Sequence, residues 1–266
     1  SCLNTYIIHV LFIKINYNTM ASSNETGHAI NVANFDTLIS TASAFGTAYN
    51  PSGQSITLAA MQALSTRAHT AMDDLKKVQP LYSNAVADRE LAFAPLSQLV
   101  TRITNALKAS GASKPVRANA LTLTRKLQGK RATPKLTDEQ KAALTAEGKE
   151  TKEISASQLS FDNRLDNFGQ LIKLLASIPE YAPNETDLKI ESLNAVLSDL
   201  GAKNTAVLTS SIPLNNARIA RNEILYKTDT GLVDIAMTAK AYLKSVFGAS
   251  SPQYKMVAGL KFVAFK

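Results

Sequence analysis

The feature that most constrains this chain is an internal duplication. Asn31-Val-Ala-Asn-Phe-Asp-Thr-Leu-Ile39 matches Asn163-Arg-Leu-Asp-Asn-Phe-Gly-Gln-Leu-Ile172, with one residue inserted in the second copy. Tyr49-Asn-Pro51 answers Tyr181-Ala-Pro183, and Pro80-Leu81 answers Pro213-Leu214. Asn84-Ala85 with Arg89 answers Asn216-Ala217 with Arg221, and Leu99-Val100 answers Leu232-Val233. Gly111-Ala-Ser-Lys-Pro115 answers Gly248-Ala-Ser-Ser-Pro252. Order is kept over about a hundred residues with small indels, which chance matching does not do.

Each copy reads as a series of helices. A first helix is expected over about 31–47 and 160–178, ending before the Tyr-x-Pro turn. A long second helix follows over about 54–79 and 185–210. Leu193, Val196, Leu197, Leu200, Val207 and Leu208 recur there at helical spacing. Asn184-Glu-Thr-Asp187 supplies a cap and first-turn acids. A third helix is expected to begin after Pro80 or Pro213 and to break near Pro95 or at Thr228-Asp-Thr-Gly231. In a fourth, Leu96, Leu99, Val100, Ile103 and Leu107 make one stripe, answered by Leu232, Ile235, Ala236, Ala239, Leu243, Val246 and Phe247. Both stripes stop at Gly-Ala-Ser, where glycine allows a left-handed cap. The closing Phe262-Val-Ala-Phe265 is ambiguous, and no period-2 strand pattern occurs.

These readings predict an all-α fold: a helical bundle built from two tandem, pseudo-symmetric helical repeats joined by a charged linker. The boundaries are 1–19 for a leader or remnant, 20–128 for repeat 1, 129–158 for the linker and 159–266 for repeat 2. The linker is polar from Gln128 to Lys135 and from Thr145 to Glu153, with a short helix expected at 138–147. A composition that is 45% hydrophobic, with 11 Gly and 9 Pro, supports a sizeable core and excludes disorder over most of the length. The single cysteine, Cys2, excludes an intrachain disulfide. The apolar run Tyr6 to Ile13 is too short to span a bilayer and lacks the features of a secretory signal, so the protein is expected to be cytoplasmic. Met20-Ala-Ser-Ser23 reads as a native start.

The net charge of +8 is concentrated. Lys114, Arg117, Arg125, Lys126, Lys130, Arg131 and Lys135 fall in one stretch without an acid. After Asp234 there is again no acid, but there are Lys240, Lys244, Lys255, Lys261 and Lys266. The excess thus occupies the corresponding tail of both repeats. Three readings compete: a solvated surface, attraction to a polyanion, and a basic amphipathic segment on an anionic membrane. No recognition helix, zinc-finger spacing or aromatic stacking motif accompanies the cations.

Catalytic constellations are missing from the sequence. His9, His28 and His69 are isolated, and His69 has only Asp73 one turn away, where a surface contact is commoner than a metal site. There is no nucleophile elbow, phosphate loop or dinucleotide fingerprint, and adjacent carboxylates such as Asp73-Asp74 diverge on a helix. No enzyme activity, cofactor or metal is expected. Asn84 with Arg89, and Asn216 with Arg221, read as a shared buried polar network, the alternative being a symmetric ligand site at the repeat interface. Phe35, Phe168, Tyr49 and Tyr181 read as core or turn anchors.

Gly27-His-Ala-Ile-Asn-Val-Ala-Asn-Phe35, Arg125-Lys-Leu-Gln-Gly-Lys-Arg131, Ile154-Ser-Ala-Ser-Gln158 and the run from Lys244 to Tyr254 resemble a group of uncharacterised two-repeat, all-helical proteins common in Bacteroidota-type bacteria. The resemblance covers nearly everything from Met20 onward. It departs at the end, where Lys261-Phe-Val-Ala-Phe-Lys266 is less basic than the usual tail. It implies relatives and no site. From the residues, the best functional expectation is a non-enzymatic binding protein whose basic tails engage RNA or a ribonucleoprotein. Lys114, Arg117, Arg125, Lys126, Lys130 and Arg131 carry that expectation, with Lys255 and Lys261 as counterparts. The alternative is a structural protein that self-assembles through its long helices as a homo-oligomer.

Overall fold

The computed structural model describes residues 23–130, 137–147 and 159–264, and among them the chain is helical with no strand. In chain order the helices are α1 (Ser23–Ala44), α2 (Leu58–Phe93), α3 (Leu96–Ala109), α4 (Lys114–Gln128), α5 (Asp138–Ala146), α6 (Phe161–Ala176), α7 (Ile190–Tyr226), α8 (Leu232–Phe247) and α9 (Pro252–Ala258). Single 3-10 turns at Gln54–Ile56 and Thr186–Leu188 precede α2 and α7. The all-helical expectation holds, and α5 falls where the sequence predicts a short helix. Thr137 and Gln140 close a reciprocal capping box at its start. Arg131, Lys135, the Ile154–Gln158 stretch, Lys266 and everything before Ser23 lie outside the described residues.

The second and third expected helices are one. α2 runs 36 residues through Pro80, and α7 runs 37 residues through Pro213. An interior proline removes one backbone bond and crowds the carbonyl four residues back, at about 3 kcal/mol. Here both prolines are exposed, so water can satisfy the freed carbonyl. The flanking segments also lack a glycine to release the chain near the proline, with Gly201 twelve residues before Pro213.

This continuity decides what packs with what. Two compact units form: unit one from the described parts of Ser1–Asp73 and Ile219–Lys266, unit two from Asp74–Arg218. Each draws on both halves of the sequence, so the compact units are not the two sequence spans. A helix that does not turn at Pro80 cannot fold its second half back on its first, so residues after Asp73 build a different core.

In unit one, Val32, Phe35, Leu38, Ile39 and Ala42 line one side of α1. They pack with Met61, Leu64 and Ala68 of α2, Leu225 of α7, Leu232, Ala236, Ala239 and Leu243 of α8, and Val257 of α9. In unit two, Phe93 and the α3 stripe Leu96, Val100, Ile103 and Leu107 pack with Ala120 and Leu127 of α4. Phe168, Leu171, Ile172 and Leu175 of α6 and Leu193 and Leu200 of α7 complete that core. The buried residues of α3 recur in α8 at the same spacing: Leu96, Val100, Ile103, Leu107 against Leu232, Ala236, Ala239, Leu243. That register pairs Leu96 with Leu232. The sequence pairing of Leu99-Val100 with Leu232-Val233 is three residues out, because the connection before α8 is longer.

Candidate anion-binding face

The described part of the first basic stretch, Lys114 to Lys130, is helix α4 and the turn that closes it. Pro115 stands in its first turn, where the missing N–H costs nothing. Gly129, at φ 65°, ends it in the left-handed region, and Lys130 N–H donates to the Arg125 carbonyl at 2.8 Å to close the last turn. Ala120, Thr124 and Leu127 face the core. Lys114, Arg117 and Arg125 stand at i, i+3 and i+11, on one face about 16 Å long. Arg125 and Lys126 also sit among the last-turn carbonyls, where the helix dipole favours cations.

Lys114 and Lys130 are exposed, while Arg117, Arg125 and Lys126 are half-buried. The sequence reading missed Lys108 of α3. It joins Lys114 and Arg117 around a shallow groove of about 350 Å³ floored by Leu107, Ala118 and Leu121. Arg117 Nε is buried without a hydrogen-bond partner. No acidic residue lies anywhere between Glu90 and Asp138. The one ion pair reaching this hairpin among the described residues is the two-bonded contact of Arg102 with Asp187. It holds the Asp187 carboxyl below the usual carboxylate range.

The second basic stretch divides. Lys244, Lys255 and Lys261 are exposed. Lys240 is not a surface cation: it is 9% exposed, and its ammonium donates to the carbonyls of Ala258 at 3.1 Å and Leu260 at 2.6 Å. Burial lowers its pKa. Asn31 grips the same tail, donating to the Val263 carbonyl at 2.8 Å and accepting from its N–H at 3.0 Å. Asn34 donates to the Lys261 carbonyl. Close by, the buried His28 ring meets the Tyr226 hydroxyl at 2.5 Å.

Phe35 and Phe168 are fully buried, one in each core. Tyr49 and Tyr181 are turn anchors. Their hydroxyls donate to the carbonyls of Ile56 at 2.6 Å and Leu188 at 3.0 Å. Burial, with the Tyr242 hydroxyl for one and Glu185 and Asp187 for the other, pushes both phenols up to about 12. The shared Asn–Arg network does not form, because Asn84 and Asn216 are exposed. Arg89 instead lies 3.9 Å over the Phe161 ring and donates to Asn204. Arg221 is buried and donates twice to Asn222.

His69 Nε2 meets Asp36 at 2.8 Å, across from α2 to α1, and Ser65 donates to the other oxygen of Asp36 at 2.5 Å. The carboxylate stands in the middle, so the imidazole does not touch the serine hydroxyl as a nucleophilic relay requires. No group of three or more metal-ligating side chains occurs among the described residues. Nor is any described helix long and apolar enough to cross a membrane. Neither a family model, a curated protein nor a solved structure matches this chain.

Proposed function

We propose that this is a non-enzymatic, cytoplasmic binding protein whose α3–α4 hairpin holds an anionic macromolecule, RNA or a ribonucleoprotein. One observation carries the reading: the hairpin bears Arg102, Lys108, Lys114, Arg117, Arg125 and Lys126 and no acid. A helix face of that length can meet several successive phosphates, and its partly buried arginines lose less freedom on binding than a mobile tail would. Without an aromatic side chain on the hairpin to stack on bases, the contact is with the backbone and is sequence-tolerant. Lys255 and Lys261 extend the same chemistry to unit one more sparsely, since Lys240 is committed to the tail. The two sets follow from duplication of one ancestral helical unit, a reading supported by the matching spacing of α3 and α8 and by the two tyrosine turns.

The test is anisotropy of a labelled single-stranded RNA titrated at several salt concentrations. Five phosphate contacts give a log–log salt slope of about −3.5, or roughly a hundredfold loss between 50 and 200 mM. Lys114→Glu, Arg125→Glu, Lys126→Glu and Lys130→Glu together remove most of that slope with little change in melting temperature. Arg117 is left intact because its Nε is packed. Salt-insensitive binding, or binding that survives the reversal, refutes the reading.

A second reading is self-assembly through the long helices. Leu81 and Leu91 of α2 and Leu208 and Ile212 of α7 are each more than half exposed, which favours it. Sedimentation at rising concentration separates the two readings: a monomer throughout disposes of assembly.

A further inference from the structure

The cleft beside Tyr181 in unit two is the place where the two units differ most tellingly. In unit one the Tyr49 ring meets the Tyr242 ring edge-on, with centroids 5.3 Å apart, and the Asn50 N–H donates to the Tyr242 hydroxyl at 3.1 Å. Phe45 and Phe247 pack against each other, their ring centroids 4.8 Å apart. Aromatic side chains thus fill the space between the turn and α8.

In unit two the turn is present and its tyrosine makes the same bond to a carbonyl seven residues on. The register that pairs Leu96 with Leu232 places Ala106 where unit one has Tyr242. The first-helix pairing, Phe35 with Phe168, places Ile178, buried in the core of unit two, where unit one has Phe45. The Tyr242 ring that fills the space in unit one is therefore replaced in unit two by the methyl group of Ala106. An open cleft of about 560 Å³ results, lined by Ala106, Ala109 and Ser110 on one side and by Tyr181 and Pro183 on the other. That volume lies within the range of small-molecule sites.

The mouth supplies the rest of the chemistry. Glu180 and Glu185 line it, with the carboxamides of Asn105 and Asn184. Arg102, the cation of the lining, is already paired with Asp187, so the local balance is negative. The Ala182 N–H, which stands where unit one uses Asn50, bonds to the Glu180 carbonyl at 3.1 Å. A ligand hydroxyl is therefore met by the carboxamides and not by this N–H.

We propose that this cleft binds a small aromatic compound carrying a cationic amine. The ring takes the position that the Tyr242 side chain occupies in the other unit, edge-on to Tyr181, and the ammonium lies between Glu180 and Glu185. The inference rests on the correspondence of the two units and not on the basic face of α4; of the hairpin cations the cleft shares Arg102, which Asp187 engages.

Tyramine, p-cresol, 4-hydroxyphenylacetate and butylamine are titrated against the full chain, followed by chemical-shift perturbation. Tyramine should bind with a dissociation constant on the order of 0.1–1 mM, and the other three at least about tenfold more weakly. Ala106→Tyr places the missing ring in the cleft; it should abolish tyramine binding and raise the melting temperature. If that variant does not fold, Glu180→Gln with Glu185→Gln decides, by reducing tyramine to the affinity of p-cresol. The proposal is overturned if tyramine gives no shifts at about 10 mM, if butylamine or the carboxylate binds as well, or if a folded Ala106→Tyr or the double glutamine variant binds unchanged. RNA binding by α4 should persist in all of these variants, so loss of one activity does not report on the other.

Discussion

Tyr49→Phe and Tyr181→Phe probe the same hydrogen bond once in each unit, and pH gives the test its sign. At pH 8 each substitution removes a buried hydroxyl donor and leaves a carbonyl, that of Ile56 or Leu188, without its partner. The cost is about 1.5 kcal/mol per site. Both phenols titrate near 12 in the folded protein against 10.0 for the ordinary side chain. Between those values the unfolded chain has lost a proton that the folded chain retains, so unfolding releases protons and rising pH favours it. The stability is complete below pH 10 and disappears as pH passes through 12. At pH 11 an ideal pair of values at 10 and 12 corresponds to a loss of about 1.4 kcal/mol for each tyrosine. Phenylalanine has no proton to release. The wild-type advantage over the double variant, about 3 kcal/mol at pH 8, should therefore fall nearly to zero by pH 11. Urea melts followed by circular dichroism measure it, and titrations common to both proteins cancel in the difference. An advantage at pH 11 equal to that at pH 8 would show that the hydroxyls are hydrated and that burial does not raise their pKa.

Two further outcomes follow from packing. Phe168→Ala empties a fully buried site in unit two and should cost about 3–5 kcal/mol in urea denaturation, whereas truncating the exposed Leu208 should cost under about 1 kcal/mol. Lys240→Met keeps the buried stem but loses both bonds to the tail carbonyls. Trypsin cleavage after Lys261 should accelerate by roughly tenfold, and an unchanged cleavage rate would mean that Asn31 and Asn34 hold the tail alone.

What the sequence discloses and what it conceals divide along physical lines. Helical periodicity reports one face of one element, so the α3 and α8 stripes and the Tyr-x-Pro turns are legible from spacing. Pro80 and Pro213 mislead because a proline's cost depends on whether water can reach the carbonyl it frees, and sequence does not show exposure. Merging the helices then changes the partner of every segment beyond them. Lys240 looks like any other lysine in a basic stretch; its role depends on carbonyls eighteen and twenty residues onward. Asn84 and Arg89 lie five apart, which puts them on different faces of a helix, and their recurrence in sequence as Asn216 and Arg221 says nothing of burial. For the candidate site, the charge was legible and the helical face was not. Lys108 escaped because it lies before Gly111, outside the stretch counted from Lys114 to Lys135.

The division of the chain between units has a consequence during synthesis. Unit two is one unbroken run, Asp74–Arg218, and every core residue it needs has left the ribosome before Ile219 appears. Unit one is opened early by α1 and α2 and cannot be closed until α8 and α9 follow, so the side of Phe35 and Leu38 that those later helices cover waits uncovered while the rest is translated. Among the described helices, α1 is therefore the one whose burial depends on the latest-made residues.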